Sequence, residues 1–181
     1  RIFLTTDHPN GAPFTSYPHL IRLLMDRTFR NDVLSTIHPE AQKMTTLASI
    51  EREYTLQEIA IMTRAGAAKL IGLENRGGLG AGNWADITIY TDNTDRQKMF
   101  EKPDYVFKDG ELVVVDGKVV HTKWGTTHIV KPHFDAGVEK DLRAYFDKYL
   151  TMKLDNFKIS DDEFTEDGRG HLTTHPLNSV A

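Results

Sequence analysis

An aspartate near the start of the chain has the strongest claim to a chemical role. Asp7 follows the β-rich run from Ile2 to Thr6, which predicts a strand. Pro9 and Gly11 end regular pairing, so Asp7 lies where a strand passes into a loop. A carboxylate there can bind a metal ion through one oxygen and accept a proton from water with the other. The alternative is that Asp7 only stabilises a turn.

The chain contains eight histidines, which raises the question of a metal centre. His171 and His175 have the spacing of one helix face, but Pro176 and the neighbouring glycines argue against a helix there. Neither a His-x-His pair nor a His-Glu-x-x-His motif occurs. The sequence therefore predicts no complete zinc site within this chain. Three histidines after the β-rich region are interpreted as isolated: His121, His128 and His133.

The glycine-rich segment 76–82 superficially resembles a phosphate-binding loop. A dinucleotide-binding loop follows a strand and opens a helix. This segment instead follows a predicted helix and precedes a predicted strand. A tight connection is therefore favoured over nucleotide binding.

Helical patterns occupy the first part of the chain. Apolar residues at three- and four-residue steps predict a helix from Tyr17 to about Phe29, followed by a polar helix or loop over 32–49. Thr55 and Glu58 form a capping-box pattern that begins the next helix, and Gly72 is suited to end it. Gly66 weakens that helix prediction.

Alternating patterns then predict strands over 85–90, 105–108, 111–115 and 118–120. Two Asp-Gly pairs, at 109–110 and 116–117, predict tight hairpin turns. Asp135 is expected to cap a last helix with an apolar face from Val138 to Tyr149. The acidic segment 160–170 is expected to be mobile.

The composition excludes several classes of protein. The net charge of −4 and the pI near 6.1 favour neither a nucleic-acid nor a membrane partner. The absence of cysteine excludes disulfides and thiolate metal sites within the chain. It also removes the usual redox clue, so a cytoplasmic location is a default expectation. The β-rich opening without a polar lead-in suggests a chain that starts inside a larger fold.

The segment Thr6-Asp7-His8-Pro9-Asn10-Gly11, with the motifs 13–15 and 17–18 after it, resembles a known family. It is similar to the amidohydrolase-type A subunits of formylmethanofuran dehydrogenase and of the formyltransferase/hydrolase complex. The stretches 53–90 and 105–120 resemble the usual C-terminal part of an amidohydrolase. The resemblance implies an α/β fold with the last strand and helices of a TIM-like barrel (1–75), strands of a small β-sandwich (76–130), and a C-terminal helix and mobile tail (131–181).

The same resemblance implies a site. Asp7 corresponds to the superfamily's metal ligand and proton shuttle in a binuclear zinc centre, whose other ligands are expected upstream of Arg1. Without those ligands the isolated chain is expected to be inactive. His8 and Asn10 share the loop and could contact substrate, although stabilising the turn is the favoured role.

The implied reaction is the reversible hydrolysis of the N-formyl amide of a furan-type one-carbon carrier, with other subunits of a complex as partners. Two alternatives stay open. One is a cyclic amidohydrolase similar to dihydroorotase or dihydropyrimidinase. The other is a noncatalytic assembly module, which the amphipathic helix from Asp135 to Tyr149 would suit.

Overall fold

The computed structural model describes residues 3–165 and 170–177. The chain divides into two compact units, 1–122 and 123–181. Helices and strands occur in both, which confirms the mixed α/β class; the barrel and sandwich assignments, and the boundaries at 75 and 130, stay predictions. Residues Phe3 to Thr6 are irregular rather than a strand, because no neighbouring strand pairs with them among the described residues. Arg1 and Ile2 lie outside those residues.

The predicted helix after Tyr17 is two helices. Helix α1 (Tyr17–Met25) begins with Pro18 in its first turn, and helix α2 (Arg27–Thr36) follows directly. Asp26 separates them: its extended backbone ends α1, and its Oδ1 accepts a hydrogen bond from the Phe29 N–H at 2.8 Å, which caps α2. The polar stretch beyond contains helix α3 (Pro39–Met44).

The capping-box helix is confirmed and contains one irregular turn. Thr55 and Glu58 exchange both capping hydrogen bonds at its start. Helix α4 (Leu56–Ala60) continues through a π-helical turn (Ile61–Ala65) into helix α5 (Gly66–Leu70). Gly72 follows with φ of 79°, a left-handed conformation that ends the helix as predicted.

The predicted strands form one antiparallel meander. Strands β1 (Ile87–Ile89), β2 (Tyr105–Lys108), β3 (Glu111–Val115) and β4 (Lys118–Val119) are hydrogen-bonded in chain order. Positive φ angles at both residues of both Asp-Gly pairs confirm the two hairpin turns. Helix α6 (Arg96–Glu101), which was not predicted from the sequence, lies between β1 and β2. Asp95 caps it by accepting from two backbone N–H groups.

The buried residues of the described chain all belong to the first unit. Ile21 of α1, Ile59 of α4 and Ala68 of α5 form the apolar core. Two polar residues are buried with them, Thr6 and Arg30. Since Thr6 directly precedes Asp7, the candidate site is attached to this core.

The second unit contains strand β5 (Thr126–Pro132), helix α7 (Val138–Tyr149) and strand β6 (His171–Leu177), with β5 and β6 parallel. Asp135 does not cap α7. Its Oδ1 accepts from the Gly137 N–H at 2.8 Å, and the helix begins one residue later. Residues Asp161–Thr165 of the predicted mobile tail form a 3-10 helix, whereas 166–169 lie outside the described residues.

None of the second unit's described residues is buried. Most apolar residues of α7 are exposed, Leu142, Tyr145 and Tyr149 among them, whereas Phe146 is half-buried. No helix in the described part of the chain is long and apolar enough to cross a membrane.

Candidate functional site

The loop that carries Asp7 is closed by backbone hydrogen bonds. The carbonyl oxygen of Asp7 accepts from the Gly11 N–H at 2.8 Å, and that of Thr6 accepts from the Ala12 N–H at 2.9 Å. The N–H of Asp7 donates to Oγ1 of Thr5 at 3.3 Å. Asp7 has φ of 51°, the left-handed region that Asp adopts more readily than most residues. The turn therefore holds without the Asp7 side chain.

The Asp7 carboxylate is exposed and has no hydrogen-bond or ion-pair partner among the residues that the structure describes. An aspartate that only stabilised a turn would accept a local backbone N–H with its side chain. Here both carboxylate oxygens stay available to a metal ion, water or substrate. Free carboxylate oxygens of this kind are what a side chain needs to bind zinc or another divalent metal ion.

His8 and Asn10 lie in the same loop and are exposed. The His8 ring stacks on Phe14, with ring centroids 4.0 Å apart and an interplanar angle of 23°. The His8–Pro9 peptide bond is cis. Phe14 was not singled out from the sequence as a partner of His8, because no periodic pattern connects a loop residue with the short 3-10 helix that carries Phe14.

The segment before Asp7 is hydrogen-bonded to the π-helical turn. The Leu4 N–H donates to the carbonyl oxygen of Met62 at 3.2 Å. A cavity of about 320 Å³ lies beside Leu4, with Tyr17, Thr63 and Tyr90 in its wall. Asp7 does not line this cavity.

The histidines are not all isolated. His128 of β5 and His175 of β6 meet side by side, with Nδ1 of the first 2.9 Å from Nε2 of the second. The prediction that His128 is isolated is therefore wrong, because a parallel strand pair joins positions far apart in the chain. His121 also has a partner, Glu111, at 3.3 Å. His171 and His175 lie on a strand rather than a helix, as the flanking Gly and Pro indicated.

No group of three or more His, Asp or Glu side chains in the described ranges could hold a metal ion together. Asp7, His8 and Asn10 share a loop but do not form such a group. The structure thus brings the predicted site residues into one exposed loop and leaves Asp7 as a single candidate ligand.

The glycine-rich segment is a tight connection built around Arg76. Its Nη1 donates to carboxylate oxygens of Asp86 and of Asp109, the latter at 2.9 Å. The guanidinium also lies 4.8 Å from the ring centre of Trp84. Partial burial alone would raise the pKa of Asp86, but hydrogen bonds from the Asp109 N–H and from Arg76 hold that pKa below its ordinary value. The guanidinium of Arg76 is thus already paired with two carboxylates of the chain. This supports a tight connection between helix and strand rather than a phosphate-binding site.

Residues 1–121 match the sequence profile of the Amidohydrolase family. The chain is 44% identical over 166 residues to the A-type component of the formyltransferase/hydrolase complex Fhc of Methylorubrum extorquens, covering 92% of this chain and 30% of that protein. It is 40% identical over 174 residues to protein FwdA of Methanocaldococcus jannaschii, covering 90% of this chain and 31% of that protein.

A solved structure is also similar. The crystal structure of the formyltransferase/hydrolase complex (FhcABCD) from Methylorubrum extorquens with methylofuran contains a chain that matches 98% of this one at 40% identity, with a TM-score of 0.78. That match covers 32% of the solved chain, so the present chain spans about a third of the length of these relatives. The resemblance to this type of amidohydrolase component is confirmed. With a profile match over residues 1–121 and relatives at 40% identity or more, the chain belongs to the amidohydrolase family.

Proposed function

We propose that this chain is part of a zinc-dependent amidohydrolase subunit that reversibly hydrolyses the N-formyl amide of a furan-type one-carbon carrier. The observation that carries the proposal is the free, exposed carboxylate of Asp7 in a loop closed by backbone alone. Family membership supports the hydrolase chemistry. The relatives named for a formyltransferase/hydrolase complex, one solved with methylofuran, support the formyl group and the furan-type carrier.

The donor set fits a metal ion only in part, because Asp7 is one ligand and the described residues offer no group of three. In this proposal the centre is binuclear, and its other ligands precede Arg1 in a longer chain. A bound zinc ion would polarise the formyl oxygen and lower the pKa of water towards about 7.

Asp7 acts as the proton shuttle of the proposed reaction. One carboxylate oxygen would serve as a ligand of a bound ion, and the other takes the proton of the attacking water as the new C–O bond forms. Asp7 then gives this proton to the amine nitrogen as the C–N bond breaks, which leaves the free amine and formic acid. The second proton of the water stays on the new hydroxyl group and is released when the acid ionises to formate. In the reverse direction, which starts from formic acid, Asp7 takes the proton of the amine as the C–N bond forms and gives it to the hydroxyl group, which leaves as water.

We also propose that His8 and Asn10 contact the carrier, rather than only stabilising the turn. The His8 ring stacks on Phe14, and a side chain already held by such a contact loses less entropy when it meets a ligand. Asn10 offers both a donor and an acceptor from the same loop. Their side chains are exposed, so neither is needed to fill the core.

Other subunits are the proposed partners, and the cytoplasm is the proposed location. A relative forms part of a four-component complex. The exposed apolar face of α7, with Leu142, Tyr145 and Tyr149, is the kind of surface that subunit contacts cover.

The test uses the longer protein that carries this chain, with its partner subunits. Asp7→Asn keeps the size of the side chain but removes the proton acceptor, so hydrolysis of an N-formyl amine should fall by about 100-fold or more. Asp32→Asn is the matched control, because Asp32 is an exposed carboxylate on α2 with no ion pair in the described chain. Its activity should match the wild type.

The substrate class is tested in the same assay. The proposal expects turnover of the formyl amine and none of a cyclic amide such as a dihydropyrimidine. Unchanged formyl hydrolysis in Asp7→Asn would contradict the shuttle role, whereas preferred cleavage of the ring amide would contradict the substrate.

A further inference from the structure

Two imidazoles from different strands lie side by side in the second unit. His128 and His175 are 47 positions apart in the chain, yet Nδ1 of His128 is 2.9 Å from Nε2 of His175. Their rings are nearly parallel, with centroids 5.2 Å apart and an interplanar angle of 23°. Both side chains are exposed, so an ion can reach them from solvent.

The separation of these two nitrogen atoms suits a chelated metal ion. Metal–nitrogen bonds of about 2.0–2.1 Å place adjacent ligand atoms roughly 3 Å apart. Imidazole nitrogen is a preferred ligand of Zn²⁺, Ni²⁺ and Cu²⁺. When both imidazole rings are neutral, Nδ1 of His128 and Nε2 of His175 share one hydrogen bond across this distance. For both facing nitrogens to bind a metal, the donor ring must move its proton to its other nitrogen, which requires no net loss of a proton.

The second unit lacks the usual sources of stability. None of its described residues is buried, and the chain contains no cysteine that could form a disulfide. Its only described sheet is the parallel pair β5–β6, and two-stranded sheets are marginal by themselves. Small units without a sufficient core commonly gain stability from a metal ion. A metal bound by His128 and His175 would join β5 to β6 directly.

We propose that His128 and His175 form a two-histidine site for a divalent transition-metal ion that clamps β5 against β6. No third His, Asp or Glu in the described ranges completes the site, so water fills the remaining positions. The site is separate from Asp7 in the sequence and in its chemistry, and it does not depend on the proposed hydrolase reaction.

The test is a Zn²⁺ titration of the purified chain, without a polyhistidine tag, in which isothermal titration calorimetry measures the binding affinity. His128→Gln and His175→Gln should each weaken binding by about tenfold or more, and the double variant should weaken it little further, because one lost ligand already destroys the chelate. His133→Gln is the matched control. It removes an exposed histidine just beyond β5 and should bind Zn²⁺ as the wild type does.

A structural measurement completes the test. Zn²⁺ should slow backbone amide exchange in β5 and β6 of the wild type and of His133→Gln, but not of the two site variants. Equal zinc affinity in all five proteins would overturn the proposal. So would zinc binding that leaves amide exchange in both strands unchanged, since the ion would then not join them.

Discussion

The N–H of Leu4 donates to the carbonyl oxygen of Met62 at 3.2 Å, and this bond depends on an irregular helix turn. In a regular α-helix the Gly66 N–H would donate to Met62. Here it donates to Ile61 instead, as in a π-helix. The Met62 carbonyl is thereby available to the segment that leads to Asp7.

Gly66 is the residue that permits this turn, because a Cβ atom there would lie 2.7 Å from the carbonyl oxygen of Ile61. Gly66→Ala should lower the free energy of unfolding by about 1–2 kcal/mol, since the clash outweighs the better helix propensity of Ala. It should also speed amide exchange at Leu4. Lys69→Ala, on the exposed side of α5, is the control and should change neither quantity. Unaltered exchange at Leu4 in Gly66→Ala would show that the π turn does not hold this segment.

Gly11 has a similar role within the Asp7 loop. A Cβ atom there would collide with the carbonyl oxygen of Thr6 and lie 3.1 Å from Cβ of Asp7. Gly11→Ala should therefore open the loop, cost about 1–3 kcal/mol of stability, and remove exchange protection at the Ala12 amide. Gly80→Ala is a matched glycine control, because its Cβ would meet only Asn83 at an ordinary 3.6 Å. Retained protection at Ala12 in Gly11→Ala would contradict this account of the loop.

Arg30 is fully buried and acts as a structural clamp. Its Nη1 donates to the carbonyl oxygen of Leu23 at 2.9 Å, and its Nη2 donates to that of Ile50 at 2.7 Å. Arg30→Met keeps much of the volume but leaves part-buried carbonyls without donors, so thermal or chemical denaturation should show a loss of roughly 3 kcal/mol. Arg27→Met, on an exposed part of the same helix, should change stability by less than about 0.5 kcal/mol. Similar losses in the two variants would refute the clamp.

Glu58 makes stability depend on acid pH. A hydrogen bond from Arg52, followed by one from the Thr55 N–H, lowers the pKa of Glu58 from 4.5 to about 2. Because the folded pKa lies below the unfolded one, the stabilisation is present above about pH 4.5 and is lost as the pH falls to about 2. Glu58→Gln should remove this part of the pH dependence in urea unfolding. Glu51→Gln should retain this pH dependence. If the free energy of unfolding of Glu58→Gln still falls in this pH range as it does in the wild type, Glu58 is not the residue responsible.

Short-range features of the fold could be predicted from the sequence. The capping pair Thr55 and Glu58, the two Asp-Gly turns and the stop at Gly72 all form as expected. In each case the interacting atoms lie within a few residues, so backbone preference and local hydrogen bonding decide the conformation. The loop position of Asp7 was predictable for the same reason. Asp95 offered a comparable capping signal for α6, which was overlooked.

Long-range features required the tertiary structure. The burial of Arg30, the pairing of His128 with His175 and the bond from Leu4 to Met62 join residues that are far apart in the chain. No local pattern specifies such partners, because they meet only after helices pack and strands pair. The sequence by itself thus determined the capping box, the two hairpin turns and the helix stop, and it placed Asp7 in a loop. Tertiary structure decided what holds that loop and which histidines meet, since both depend on contacts that form only when distant segments fold together.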